Sequence, residues 1–153
     1  MAFSQEKLDE LRQLFGSSDG GTMVSPSFRK IAEKIFSEGG RRPAPYAGHP
    51  TLLDAPAVLP KHLDTALPGL QVALYGMPMD LAVTNRNGSR FGPRALRLIE
   101  RVGPYNDALE CAPVHEMQVA DIGDVPFRSR FDLAMSHKDI EDFVTAIHAA
   151  GVL

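Results

Sequence analysis

Short apolar runs and helix-like patterns alternate along the second half of the chain. Residues 70–76 are almost entirely apolar, which predicts a short strand buried on both faces. A second strand is predicted over residues 114–122. Between the two strands, a helix is expected to begin at Pro93 and to end at Gly103. The spacing of its apolar positions predicts an inward face made of Ala95, Ile99 and Val102.

The residues after the second strand predict another helix and the start of a third strand. Ser136 and Asp139 have the spacing of a capping box, so this helix is expected to begin there and to end at Gly151. Val152 and Leu153 would then open the third strand. The order β-α-β-α-β predicts an α/β fold with a parallel sheet and right-handed crossovers. Because so few strands leave apolar faces uncovered, residues 70–153 are expected to be an incomplete part of a domain.

Residues 1–69 have a different pattern, which predicts an irregular N-terminal arm. Ser4 can cap one short helix, and Ser25 with Pro26 can open a second that ends before residues 39–40. Six prolines between residues 43 and 68 then exclude long helices and central strands. We expect this Pro-rich stretch to wrap, partly extended, over the body of the protein or over a neighbouring subunit.

Composition excludes several classes of function. The chain is 44% hydrophobic and 23% charged with a net charge of -3, so it has no basic bias towards nucleic acid or membranes. Its single cysteine, Cys111, cannot build a disulfide framework or a cysteine-rich zinc site. No run approaches 18 apolar residues and the N-terminus lacks a signal-peptide pattern, so we expect a cytoplasmic protein.

The loop between the first strand and the first helix, residues 80–92, concentrates the polar chemistry. It follows the carboxyl end of a parallel strand, where open α/β sheets place ligands. Arg86 and Arg90 can bind carboxylates with two hydrogen bonds, and Thr84 and Asn85 can orient a ligand. These four residues are the predicted substrate-binding set. In the alternative interpretation, the loop only closes the sheet edge and its arginines form internal ion pairs.

A second pair of polar residues is predicted at the same edge. Asp121 and Asp124 stand at the end of the second predicted strand. Aspartates in such positions most often form turns or cap helices, and we expect that structural role here.

Three segments resemble one known family. Residues 76–93 follow the pattern Gly-x-Pro-x-Asp-x-x-x-Thr-x-Arg-x-Gly-x-Arg-x-Gly-Pro. Residues 46–53 read Tyr-Ala-Gly-His-Pro-Thr-Leu-Leu, and residues 121–125 read Asp-Ile-Gly-Asp-Val. Together they resemble the N-terminal part of agmatinase-type members of the ureohydrolase (arginase/agmatinase) family. The long motif departs from the family at Ala82, where a glycine is usual.

The resemblance implies the start of a three-layer, parallel-sheet, arginase-like fold. It also implies hydrolysis of a small guanidino compound (agmatine, a guanidino acid or guanidine) to urea and an amine. In this family two manganese or nickel ions convert a bridging water into the attacking hydroxide. Trimers and hexamers are the family's usual assemblies, so a homo-oligomer is expected.

The family's metal-binding segments are Gly-Gly-Asp-His, Asp-Ala-His-x-Asp and Asp-x-Asp, and none of them occurs in this sequence. The five histidines also lack the spacing of a ligand set: His49, His62, His115, His137 and His148. We therefore expect no catalytic residue and no metal site in this chain, and no activity from the chain alone.

Two other interpretations remain. The chain could be a non-catalytic fragment that serves as an assembly partner, paired with a longer homologue or with its own C-terminal half. It could also be half of a nucleotide-binding domain, but no Gly-x-Gly-x-x-Gly follows the first strand. The loop over residues 80–92 is also too long for a phosphate-binding turn, so the nucleotide-binding interpretation is disfavoured.

Overall fold

A computed structural model of the chain describes residues 3–16, 25–27, 47–58, 67–99 and 104–153. In chain order its helices and strands are α1 (Gln5–Phe15), β1 (Val72–Gly76), α2 (Gly92–Arg97), α3 (Pro113–Glu116), β2 (Val119–Asp124) and α4 (Leu133–Ala149). Within the described residues, 3-10 turns cover Leu52–Asp54 and Ser89–Phe91. The chain divides into two compact units, Met1–Arg42 with Tyr105–Ala112, and Pro43–Pro104 with Pro113–Leu153. The boundary at residue 69 stays a prediction.

The first unit contains the helix predicted at the N-terminus. Ser4 caps α1, because its hydroxyl accepts a hydrogen bond from the backbone N–H of Lys7 at 3.2 Å. The helix buries none of its residues. Of the second predicted helix, only Ser25, Pro26 and Ser27 fall within the described residues.

The second unit is built on a parallel sheet. β1 pairs with β2 in the register Val72↔Val119 and Ala73↔Ala120, and an irregularity after Leu74 brings Gly76 opposite Asp124. On the other side of β1, Leu153 donates to the carbonyl of Gln71 at 3.1 Å and accepts from Ala73 N–H at 2.8 Å. This is the pairing of a parallel strand, as predicted for the end of the chain.

Part of the Pro-rich arm completes the opposite edge of the sheet. Ala57 forms a parallel bridge with Asp121. The N–H of Asp121 donates to the carbonyl of Pro56 at 2.9 Å, and Val58 N–H donates to the carbonyl of Asp121 at 2.9 Å. A proline fits this edge position because only its carbonyl is needed. Residues 56–58 therefore lie extended along this edge of the sheet, and the wrapping of the whole Pro-rich stretch stays a prediction.

Both faces of β2 are covered by apolar side chains. On one face, α4 packs against the sheet through Phe143 and Ile147, and Ile122 at the centre of this cluster is fully buried. On the other face, Val119 packs with Ala55 from the arm. Burial on both faces explains why the strands are continuous apolar runs instead of alternating patterns.

Two predicted boundaries were wrong. α2 ends at Arg97 rather than at Gly103. The positions expected to face inward, Ala95 and Ile99, are exposed, so no apolar burial extends the helix. The predicted strand over residues 114–122 begins only at Val119, because Pro113 opens the one-turn helix α3. A short apolar run alone does not distinguish a buried helical turn from a strand.

The predicted capping box was also wrong. α4 begins after Asp132, whose carboxylate accepts a hydrogen bond from Met135 N–H at 2.9 Å. Ser136 lies inside the helix and donates to the carbonyl of Asp132 at 2.7 Å. Asp139 is instead the partner of Arg128 in the preceding loop. The C-terminal end was predicted correctly, since Gly151 follows the helix with a φ of 73°.

A test of the close packing at the end of β1 uses Gly76. A Cβ at this position would overlap the carboxylate of Asp124 and the ring of Pro93. We expect Gly76→Ala to lower the free energy of unfolding by about 2 kcal/mol, because the rigid proline cannot move away. The measurement is urea denaturation. Gly92→Ala is the matched control, since a Cβ at Gly92 meets no atom within 4 Å. Equal stability of the two variants would contradict the packing argument.

Candidate functional site

The polar residues of the second unit gather where β1 and β2 end. Gly76 and Asp124 are neighbours at this edge. The loop that follows β1 returns to α2, and the loop that follows β2 leads into α4. This is the carboxyl edge of a parallel sheet, where α/β folds place ligands.

Arg97 is the centre of an ion-pair cluster at this edge. Its Nε and Nη2 donate to the two carboxylate oxygens of Asp121 at 2.7 and 2.9 Å. Its Nη1 donates to Asp124 at 2.6 Å, and Nη2 also donates to the carbonyl of Gly123 at 2.9 Å. The planar guanidinium thus binds one carboxylate with two parallel hydrogen bonds and reaches a second, a geometry that lysine cannot reproduce.

Asp121 is almost completely buried, with 3% of its side chain exposed, yet its carboxylate is fully used. Besides Arg97, it accepts the backbone N–H of Leu52 at 2.9 Å and that of Gly123 at 3.0 Å. Gly123 adopts a positive φ of 82°, which directs its N–H back at this carboxylate. One side chain therefore holds together the end of β2, helix α2 and the N-terminal arm.

Hydrogen bonds determine the ionisation of Asp121 and Arg97 in this cluster. Burial alone would raise the pKa of Asp121, but the hydrogen bonds from Arg97, Leu52 and Gly123 outweigh burial and lower it below the ordinary carboxyl value. The hydrogen bond to Asp121 raises the pKa of Arg97 despite partial burial. Both groups therefore stay ionised at neutral pH. The role expected for Asp121 and Asp124 was structural, and the structure places both in an ion-pair cluster.

The loop after β1 is fixed by a second carboxylate, that of Asp80. It accepts the backbone N–H of Gly88 at 2.9 Å and Nη1 of Arg90 at 3.2 Å. Gly88 has a φ of 144°, a conformation that favours glycine. Asp80 therefore ties the start of the loop to its end.

The four predicted substrate-binding residues occupy two environments. Thr84, Asn85 and Arg86 lie in the exposed part of the loop. Arg90 forms an internal ion pair with Asp80, as the alternative interpretation allowed, but 51% of its side chain remains exposed. Its guanidinium also lies 5.1 Å from the centre of the Phe91 ring. The structure therefore does not bring all four side chains to one place.

A pocket of about 380 Å³ lies between the loops that follow β1 and β2. Its wall includes Asp80 and Arg90 from the first loop and Ser129 and Arg130 from the second. Thr84, Asn85 and Arg86 are not among its lining residues. Of the predicted set, only Arg90 contributes to the pocket.

The described residues contain no group of three or more His, Cys, Asp or Glu side chains that could hold a metal ion. The carboxylates at the sheet edge are already used: Asp121 and Asp124 pair with Arg97, and Asp80 pairs with Arg90. The residues that the structure describes therefore do not fit a binuclear metal centre. Within the same residues, no helix is both long enough and apolar enough to cross a membrane.

Comparison with known proteins decides the family. The Arginase family model matches residues 70–153, which is more than half of the chain. The chain belongs to the arginase family. The resemblance seen in the sequence is thereby confirmed, and the parallel α/β layer is the start of an arginase-like fold.

Several known proteins are similar to this chain in sequence. Guanidinopropionase of Pseudomonas aeruginosa is 38% identical over 109 residues, which are 71% of this chain and 32% of the relative. Guanidinobutyrase of the same organism is 36% identical over 117 residues, or 75% of this chain and 35% of the relative. The mitochondrial guanidino acid hydrolase of Homo sapiens is 29% identical over 143 residues, or 90% of this chain and 39% of the relative. The chain spans about a third of the length of these relatives.

Two charged residues of this edge, Arg97 and Arg130, were not predicted from the sequence. Arg97 stands one turn after Pro93. Its partners could not be recognised from the sequence, because the two carboxylates of β2 lie 24 and 27 residues further along the chain. Arg130 follows Arg128 and Ser129 with no periodic pattern to distinguish it. A search for arginines opposite the polar ends of neighbouring strands would have found Arg97, but no sequence signal separates Arg130 from Arg128.

The lowered pKa of Asp121 predicts a specific dependence of stability on pH. Its carboxylate is ionised more readily in the folded state than in the unfolded state, so it stabilises the fold above the ordinary carboxyl pKa. That contribution is lost as the pH falls below about 4 and through the lower folded value. Asp121→Asn should therefore lower the free energy of unfolding at pH 7 by about 3 kcal/mol. The difference from the parent protein should shrink towards acidic pH.

The measurement is urea denaturation at steps between neutral and acidic pH. Asp142→Asn is the control, because Asp142 is an exposed partner of Lys138 on α4 and should change stability little. Parallel pH profiles for the parent protein and Asp121→Asn would refute the assigned role.

Proposed function

We propose that this chain is part of a metal-dependent ureohydrolase, which hydrolyses a small guanidino compound to urea and an amine. The observation that carries the proposal is the family match over residues 70–153, which includes the whole loop after β1. Relatives named for guanidinopropionate and guanidinobutyrate support a guanidino substrate. Agmatine, guanidino acids and guanidine are the substrates to compare.

The loop over residues 80–92 is assigned a role in substrate binding. Its ends are fixed, since Asp80 holds Gly88 and Arg90 while Pro93 packs against Gly76. Between these fixed points, Thr84, Asn85 and Arg86 present polar side chains to solvent. An exposed, polar segment on rigid supports is suited to contact a ligand or the protein surface that encloses it.

The guanidinium carbon resists attack because its positive charge is delocalised. A pair of manganese or nickel ions, when bound, supplies a hydroxide near neutral pH. In our proposal, residues that this chain does not contain hold the metal ions. Residues 84–86 and Arg90 orient the part of the substrate that does not react. No urea is expected from this chain alone.

The assembly and location of the enzyme also belong to this proposal. We assign a homo-oligomer, a trimer or a hexamer, in the cytoplasm. An exposed ridge is available for such contacts, because Leu96, Leu98 and Ile99 at the end of α2 are all about half exposed. Large apolar side chains grouped on a surface are typical of protein interfaces.

The direct test is urea release by the natural protein that carries this chain, purified from its native source. Its denaturing intact mass is measured first, to establish which residues are present. We expect urea release from a guanidino compound, loss of activity after treatment with a chelator, and recovery with Mn²⁺ or Ni²⁺. Metal-loaded protein that releases no urea from any candidate substrate would instead favour the non-catalytic assembly partner.

The role of the exposed loop is tested by variants of the same protein. Arg86→Gln removes a charged hydrogen-bond donor, and we expect kcat/KM to fall by about tenfold or more. Thr84→Val removes only a hydroxyl, with an expected loss of about fivefold. Arg94→Gln is the control, because Arg94 is an exposed arginine of α2 outside this loop. If all three variants retain full kcat/KM, the loop has no role in substrate binding.

A further inference from the structure

The pocket beside Asp80 has both charged and apolar residues in its wall. It lies between the loops that leave the carboxyl ends of β1 and β2, and α4 contributes Ser136 to its wall. Its volume of about 380 Å³ is at the lower end of the range for small-molecule sites. The ligand that fits this volume is a compact molecule of few atoms.

The charge of the pocket favours an anion. Arg90 and Arg130 both line it, with the carboxylate of Asp80 as the acidic group. Asp80 already accepts two hydrogen bonds, from Gly88 and Arg90, and its side chain is only 5% exposed. Only Nη1 of Arg90 is used in that ion pair, so its other N–H groups can donate to a ligand.

Arg130 differs from its close neighbour Arg128. Arg128 donates to Asp139 on α4 through both its backbone N–H and its side chain. Among the residues that the structure describes, no carboxylate lies within ion-pair distance of Arg130, which faces the pocket instead. The pocket therefore has two guanidinium groups and one satisfied carboxylate. That balance suits a single negative charge better than a doubly charged phosphate.

Most of the remaining wall is apolar, and two of its aromatic rings are exposed to solvent. Phe131 is 88% exposed and Phe91 is 61% exposed, although both rings line the pocket. Met79 and Phe127 contribute further apolar surface. Covering such rings with the body of a ligand is favourable, since removing apolar surface from water stabilises the bound state.

We propose that this pocket binds a small monocarboxylate with a short apolar body. The carboxylate forms hydrogen bonds with Arg90 and Arg130, and the apolar part covers Phe91 and Phe131. Such a carboxylate has two possible sources: the acid group of a guanidino-acid substrate, or a separate carboxylate that binds without being hydrolysed. The assignment of the pocket does not require the proposed function, because it rests on the charges and apolar walls of these residues.

The test is calorimetric titration of the natural, full-length protein with three probes of similar shape. These are 3-phenylpropionate, the neutral 3-phenylpropionamide and the cationic 3-phenylpropylamine. We expect the carboxylate to bind at least about tenfold more tightly than the amide. Arg130→Gln should remove this preference, whereas Arg94→Gln should retain it. Circular dichroism of both variants verifies that they are folded.

The same probe distinguishes the two sources. Competitive inhibition of urea release from 3-guanidinopropionate by 3-phenylpropionate would assign the pocket to the substrate's acid group. Binding without competition, or binding to a protein that releases no urea, would assign it to a separate carboxylate. Equal affinity for the three probes would overturn the proposal. An equal loss of affinity in Arg130→Gln and Arg94→Gln would overturn it as well.

Discussion

The paired hydrogen bonds between Arg97 and Asp121 are the interaction on which the rest of this edge depends. A carboxylate with 3% exposure could not remain ionised in the interior without a partner of matching geometry. The guanidinium supplies that partner, and its remaining donors reach Asp124 and the carbonyl of Gly123. Arg97 thus ties its short helix to the end of β2, and Asp121 in turn accepts the backbone N–H of Leu52 from the arm. Apart from Pro93, which packs against Gly76, the helix contributes little else, because Ala95 and Leu96 are exposed.

This arrangement explains why the loop after β1 has a defined position. Asp124 is held by Arg97 directly against Gly76, where no larger residue would fit, and Pro93 closes the third side. The loop therefore begins and ends at fixed points, and Asp80 adds a further tie between them. Rigid ends with an exposed middle are the arrangement expected of a binding loop. The ion pairs stabilise the support. Of the residues assigned to binding, Thr84, Asn85 and Arg86 stay outside these pairs, and Arg90 takes part in one of them.

The sequence predicted those parts of the fold that depend on apolar burial. The strands of residues 72–76 and 119–124 were recognised because both of their faces are covered, and α4 because Phe143 and Ile147 face the sheet. The errors at α4 occur where polar contacts decide. Asp132, and not the predicted Ser136, caps α4. Asp139 forms an ion pair with Arg128 instead of interacting with the helix N-terminus. Of the site, the sequence predicted the loop and offered the internal ion pair of Arg90 as an alternative. It did not predict the partners of Arg97, because these carboxylates lie 24 and 27 residues away.

The arm segment over residues 56–58 has a consequence for the association of chains. An uncovered strand edge is a template on which another chain can add a strand, which leads to aggregation. At β2 this template is filled from within the molecule by residues 56–58. The edge of β2 at Asp121 is therefore already paired and does not offer this template. Removing residues 47–58 would leave this edge of β2 unpaired. It would also remove the backbone N–H of Leu52 that donates a hydrogen bond to Asp121.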